Sequence, residues 1–179
     1  MGCSTRVLLL PGWLNSGPEH WQSRWELLHG FERVEQSDWH WPRRGDWMAR
    51  LEEVLLSTAT PAVLVAHSLG CHLVAAWAAH SAHSARVLGA LLVAPPDLQR
   101  EDMPPQITGW RPIVRRPLPF QSLLVYSDDD PFCTDDRAHG MASDWGSERQ
   151  GLRGAGHVND DSGLSDWPAG RAWLSRWDV

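Results

Sequence analysis

Lysine is absent from this sequence: all sixteen basic residues are arginine. The absence removes whole mechanisms. A Walker-type phosphate loop uses a lysine, and so do Schiff-base chemistry, pyridoxal phosphate attachment and a serine–lysine dyad. Genomic base composition is enough to explain the missing residue, but the exclusion stands whatever its origin. Cysteine is nearly as scarce. Cys3, Cys71 and Cys133 make an odd number with no C-x-x-C pair, so neither a disulfide framework nor a zinc ribbon is indicated. A reducing compartment fits best. Long apolar runs are missing too, since no segment approaches the ~20 residues that span a bilayer. Val7–Leu10 is too short for a signal-peptide core and is stopped by Pro11-Gly12. In Met1-Gly2-Cys3-Ser4-Thr5-Arg6, Arg6 stands where a myristoylation signal needs serine or threonine. These absences predict a cytoplasmic protein without a membrane partner. The net charge of −6 argues against nucleic acid as a partner, because phosphate binding needs a basic face.

What is present is ordinary for a globular chain. The 179 residues are 42% hydrophobic and 21% charged, which predicts one domain spanning 1–179. A domain near this size buries roughly 70% of its unfolded surface. Short apolar runs end in turn residues. Val7–Leu10 ends at Pro11-Gly12, and Ala62–Ala66 at His67-Ser68. Leu88–Ala94 ends at Pro95-Pro96, and Leu123–Tyr126 at Ser127-Asp128-Asp129-Asp130-Pro131. Runs without polar alternation fit strands buried on both faces, as in a parallel sheet covered by helices. A weaker strand is expected at Glu148–Leu152.

Helices are expected between the strands. Glu19–Leu28 carries Trp21, Trp25 and Leu28 at helical spacing, and Asp46–Leu56 carries Trp47, Leu51, Val54 and Leu55. Leu69–His80 is rich in alanine. Thr134–Trp145 opens on a possible cap and two acidic residues. Leu164–Trp177 closes the chain, with Pro168 marking where its regular part begins. Alternation of strands and helices predicts an α/β domain with a compact, mainly parallel sheet. Pro95–Pro119 breaks the pattern with seven prolines, and loops of this length are uncommon and often functional. It is expected to run over the mouth of a site.

Ala66-His67-Ser68-Leu69-Gly70 sits between a buried strand and a helix. That is the context of a nucleophile elbow, G-x-S-x-G, in which a serine occupies a strained strand-to-helix turn with small residues two positions either side. Gly70 meets the requirement, and Ala66 replaces glycine but remains small. The following helix would point its N-terminus at a developing oxyanion.

A serine hydroxyl needs a base. In this fold class the order is serine, acid, histidine. Of the later histidines, His72, His80 and His83 lie on or just past the helix after the serine, and His139 sits inside a predicted helix. His157 stands in the turn Gly154-Ala155-Gly156-His157-Val158-Asn159 and can lie over the elbow. The acid, which orients the imidazole, is sought among Asp128, Asp129 and Asp130 at the end of a buried strand. Spacing leaves the choice among them open, and two of the three are read as a solvated turn. Asp160 and Asp161 are too close to His157 in sequence to reach its ring and are read as surface residues or caps. Two backbone N–H groups would hold the oxyanion, from Leu69 and from Trp13 in the loop after the first strand.

Taken together, Leu9-Leu10-Pro11-Gly12, Ser16-Gly17-Pro18-Glu19-His20-Trp21, the Ser68 motif, Asp129-Asp130-Pro131-Phe132 and Gly156-His157 resemble the family of retinoblastoma-binding protein nine and the YdeN-like serine hydrolases. The resemblance covers nearly the whole chain. It implies an α/β-hydrolase fold without a separate cap domain, and a triad of Ser68, His157 and Asp130, the aspartate immediately before proline. It implies a hydrolase of esters or amides; with the elbow and the ordered triad, a small ester is the expected substrate, with thioesters and amides as further candidates. No cofactor and no metal is expected; His80 and His83 have no supporting cluster to make a zinc site. The alternative is a protein-binding module with a vestigial site, suggested by family names that record a partner, although nothing in the residues indicates a protein partner.

Twelve tryptophans are many for this length. Trp13, Leu14 and Trp110 are expected to line the substrate pocket, while Trp25, Trp77, Trp173 and Trp177 are read as packing. Cys71 and Cys133 are expected to be inert buried thiols.

Overall fold

The computed structural model describes residues 5–179, so Cys3 and most of the N-terminal hexapeptide lie outside the described residues. The chain alternates strands and helices. Its elements are β1 (Arg6–Leu10), α1 (Trp21–His29), β2 (Glu32–Arg33), α2 (Arg44–Leu56), β3 (Ala62–His67) and α3 (Leu69–His80). They continue with β4 (Val87–Val93), β5 (Gln121–Ser127), α4 (Asp135–Trp145), β6 (Glu148–Leu152) and α5 (Pro168–Ala172). The strands form one six-stranded sheet in the order β2-β1-β3-β4-β5-β6, and every pairing is parallel.

The uninterrupted apolar strands have two cores to serve. Successive strand residues point to opposite faces. Leu8, Leu64, Leu92 and Leu124 therefore meet Trp47 and Leu51 of α2, Trp77 of α3 and Trp145 of α4 on one side. Val7, Leu9, Val65, Leu91 and Val125 meet Trp21 and Trp25 of α1 and Trp167, Leu174 and Trp177 on the other. Each large side chain buried this way contributes about 2–3 kcal/mol. The two edge strands are polar, and β2 is only two residues long, features that discourage pairing with other chains.

The helices start and stop for local reasons. His20 caps α1 by accepting the Gln22 amide, and Gly30 ends it at φ 66°. Thr134 caps α4 by accepting the Arg137 amide, and Gly146 ends it at φ 68°. Within the expected Leu164–Trp177 segment the regular helix begins at Pro168, as expected there, but it is shorter than expected. Ser165 and Trp167 have positive φ, α5 begins at Pro168, and after five residues the chain tightens into a 3₁₀ turn over Trp173–Trp177. The residue before a proline is biased out of the helical region, which is where the chain breaks. Among the described residues, no helix is long and apolar enough to cross a membrane.

Two crossings position the site. A Cβ on Gly70 would lie 2.2 Å from the Leu10 carbonyl oxygen, so only glycine lets α3 start against the end of β1. Gln22, fully buried on α1, donates to the carbonyls of Leu10 and Val65 at 3.3 and 3.0 Å, tying together the carboxyl ends of β1 and β3.

Candidate active site

Ser68 follows the last residue of β3 and precedes the first of α3, with φ 54° and ψ −122°. Left-handed backbone in a non-glycine residue costs on the order of 1–3 kcal/mol and persists only where the surroundings impose it. Here the Ser68 amide is held by the Val93 carbonyl at 2.9 Å, and Ala66 and Gly70 are buried on either side. The hydroxyl projects at the carboxyl edge of the sheet, where Oγ lies 2.8 Å from His157 Nε2.

On its other side the imidazole faces Asp130. Nδ1 is 3.1 and 3.0 Å from the two carboxylate oxygens. A carboxylate only accepts, so Nδ1 carries the ring proton and Nε2 is left to accept from the Ser68 hydroxyl. The side chains of Asp130 and His157 are 2% and 11% exposed, so water competes little for these bonds. The Asp130 carboxylate also receives the Phe132 amide at 2.9 Å.

Leu69 and Trp13 converge beside Ser68. A Cβ on Gly12 would lie 2.8 Å from the Ser68 Cβ and 3.2 Å from the Leu69 amide nitrogen. The first loop thus passes directly over the elbow, and Trp13 follows. Among the described residues no backbone or side-chain acceptor takes the Leu69 or Trp13 amide, and the Trp13 indole is engaged elsewhere, donating to His40 O at 2.9 Å.

The cleft above these groups has a volume of about 370 Å³. Its walls are mostly apolar: Trp13, Leu14, Leu69, Met103, Ile107 and Phe132. The cation on its rim, Arg100, is engaged by both oxygens of Asp102. The proline-rich segment supplies one wall through Pro96, Met103, Pro104 and Ile107, and includes a 3₁₀ turn over Pro105–Trp110. Trp110 is not brought to the cleft. It is 1% exposed, packs edge-on against Trp47 and donates its indole N–H to Pro42 O. Its place among apolar residues of a proline-rich segment gave no means of telling a wall from a core anchor.

The remaining histidines lie apart from Ser68 or are buried behind it. His80 bonds the Ala76 carbonyl, His83 bonds Glu52, and His139 bonds the Tyr126 hydroxyl. His72 is buried, with Nε2 on the Pro96 carbonyl at 2.8 Å, and so anchors the start of the proline-rich wall. His67 and His20 are buried with ring centroids 4.6 Å apart. The thiols are quiet: burial pushes Cys71 well up, and burial with Asp130 and Asp97 nearby pushes Cys133 up to about 12. Among the described residues no group of three or more His, Cys, Asp or Glu side chains could hold a metal ion.

Three buried imidazoles make the fold acid-sensitive. Burial lowers His20 and His72 to about 4 and His67 well below its ordinary value. The unfolded chain takes up these protons near pH 6.5 and the folded chain does not, so their contribution is complete above pH 6.5 and is lost as pH falls toward 4. By pH 5, His20 and His72 should each cost roughly 2 kcal/mol of stability. Urea unfolding at pH 7.5 and pH 5 is expected to show a clearly lower midpoint at pH 5. Equal midpoints would mean that these rings are not buried in the neutral form.

The family model described as serine hydrolase matches residues 7–176. A crystal structure described as a YdeN-like hydrolase from Pectobacterium atrosepticum is similar at 28% identity with a TM-score of 0.84, over 97% of this chain and 90% of that one. The ydeN gene product from B. subtilis shares 19% identity with a TM-score of 0.74, over 98% of this chain and 100% of that one. A carboxylesterase from Bacillus subtilis shares 15% with a TM-score of 0.62, over 96% and 83%. The last two likenesses establish the α/β-hydrolase fold alone. No curated protein matches the sequence significantly.

Proposed function

This chain belongs to the serine hydrolase family, and from that premise we propose that Ser68, His157 and Asp130 act as nucleophile, base and orienting acid in the hydrolysis of small esters. The observation that supports this most directly is the unbroken path of 2.8 Å from Ser68 Oγ to Nε2 and 3.0 Å from Nδ1 to Asp130.

The ester carbonyl enters the cleft beside Ser68. As Oγ bonds to the carbonyl carbon, its proton passes to His157 Nε2, and Asp130 stabilises the resulting imidazolium without taking a proton itself. The carbonyl oxygen becomes an oxyanion and is held by the free Leu69 and Trp13 amides, supported by the N-terminus of α3. Collapse breaks the bond to the leaving oxygen, which takes the proton from Nε2 and departs as the alcohol. Water then attacks the acyl-enzyme, giving its proton to His157, and Ser68 leaves with that proton. A thioester or an amide follows the same steps with a thiol or amine as leaving group. The apolar cleft, with its rim cation already paired, suits an uncharged acyl or aryl group.

Labelling by a fluorophosphonate tests the proposal, together with a series of p-nitrophenyl esters of graded chain length. One label per chain on Ser68 is expected, with turnover falling once the acyl group outgrows the cleft. A folded protein that neither takes up the label nor cleaves any ester would overturn the reading and fit a vestigial site.

A further inference from the structure

The residues that carry the base cannot hold their own shape. Gly154, Gly156 and Val158 have φ of 61, 58 and 52°, and the internal bond of this stretch runs from the Val158 amide to the Ala155 carbonyl at 3.1 Å. Its conformation is imposed from outside. Four successive residues at the end of β5 grip four successive residues of the loop. Asp128 accepts the Gly154 amide at 2.8 Å, Ser127 Oγ accepts the Ala155 amide at 2.9 Å, and Asp129 accepts the Gly156 amide at 2.7 Å. Asp130 faces the His157 ring. From the opposite side, His67 Nε2 meets the His157 carbonyl at 2.9 Å and the Trp21 indole donates to the Val158 carbonyl at 2.8 Å.

We infer that Ser127, Asp128 and Asp129 on one side and His67 and Trp21 on the other form a clasp that sets the register of the base loop, with Asp129 and His67 as positioning residues for His157. The inference rests on the reading of His157 as the base. A carbonyl can only accept, so His67 Nε2 is the donor, and burial keeps that ring neutral. Ser127 donates to Asp129 Oδ1 at 2.7 Å. That bond and the Gly156 amide hold the Asp129 carboxyl below its usual range, so it remains an acceptor at neutral pH. A shift of the loop by a fraction of an ångström would lengthen the Ser68–His157 bond, and transfer through a misaligned bond is slow.

The test is kinetics per active site, counted by fluorophosphonate titration so that misfolded molecules drop out. His67→Phe keeps a ring but removes the donor, and kcat is expected to fall about ten-fold, the factor for one lost part-buried hydrogen bond. His67→Gln, which returns an N–H near the same place, should recover most of it. Asp129→Ala should lower kcat about five-fold, and Asp129→Asn, whose carboxamide oxygen still accepts both bonds, should recover it. In each case KM should stay within about two-fold, because neither side chain lines the cleft. The rate of fluorophosphonate inactivation should fall in step with kcat. Asp129 is exposed, so its variants fold even if His67→Phe does not. Normal kcat per titrated site in Asp129→Ala, or a loss that Asp129→Asn fails to repair, would overturn the clasp. Ser68→Ala, which has no serine to titrate and is assayed per mole of folded protein, separates the two readings. If it is inactive while the clasp variants turn over normally, only the clasp is lost; if it is fully active, the triad itself is wrong.

Discussion

Replacing Ser68 with alanine is expected to reduce ester turnover about 10⁶-fold, the scale on which serine hydrolases lose activity with their nucleophile. The fold should survive. The left-handed backbone at this position carries a Cβ in either residue, so the strain at φ 54° is common to both. The amide bond to Val93 does not involve the side chain, and the hydroxyl has its partner only in His157 Nε2 among the described contacts. The melting temperature should therefore move by no more than a few degrees, consistent with about 1 kcal/mol. What survives in the variant is the apolar cleft and the two free amides, which still bind a carbonyl and polarise it. A small residual rate over water is expected for that reason. Retention of full activity by a purified, folded Ser68→Ala protein would mean that another group attacks the ester.

The sheet and most helices were legible because their signals are local. Short apolar runs that stop at Pro-Gly, His-Ser or Asp-Pro fit strands covered on both sides, and Leu69–His80 begins and ends where its alanine-rich stretch does. β2 was invisible, since two polar residues, Glu32 and Arg33, carry no periodicity. Its place is set by tertiary contacts, chiefly Arg33, which donates to Glu26, Asn15, Ser16 and Ser23. At the end of the chain the start of α5 at Pro168 was legible, but its shortness was not, nor where the tryptophans around it pack. They are needed at separate points, Trp167 against Trp21 and Trp25, and Trp177 over Gly89.

The site was legible where chemistry constrains residue type. Ser68, His157 and an aspartate at the end of β5 each had few competitors. The supporting contacts were not. Asp128 and Asp129 looked like turn residues in water, and both are exposed, yet each accepts an amide of the base loop twenty-six or twenty-seven residues away. Reading two of the three aspartates as merely solvated is corrected on this point. One available signal was the loop itself: a histidine that directly follows Gly154-Ala155-Gly156 has little local means of staying in place, so its carriers had to be sought elsewhere. His67 was legible only as the variable residue of the elbow motif, and its bond to the loop appears only once β3 and residues 154–158 are brought together.

Asp130→Asn is expected to lower kcat about 10⁴-fold with KM nearly unchanged. An asparagine in this place can still accept the Phe132 amide, so the turn after β5 is preserved. Its carboxamide can also satisfy His157 Nδ1, but by donating an N–H to it. The ring proton is then driven to Nε2, where it confronts the Ser68 hydroxyl with a donor in place of an acceptor. The base is present, well placed and in the wrong tautomer. KM should hold, because Asp130 does not line the cleft. The identical substitution one residue earlier makes the comparison decisive. Asp129 is asked only to accept hydrogen bonds, which a carboxamide oxygen does, so Asp129→Asn should cost little. Asp130 is asked for two acceptor oxygens and a negative charge against a forming imidazolium, which a carboxamide cannot supply. Steady-state kinetics on the two purified variants should therefore differ by about three to four orders of magnitude in kcat. Equal activities would place the orienting acid somewhere other than Asp130.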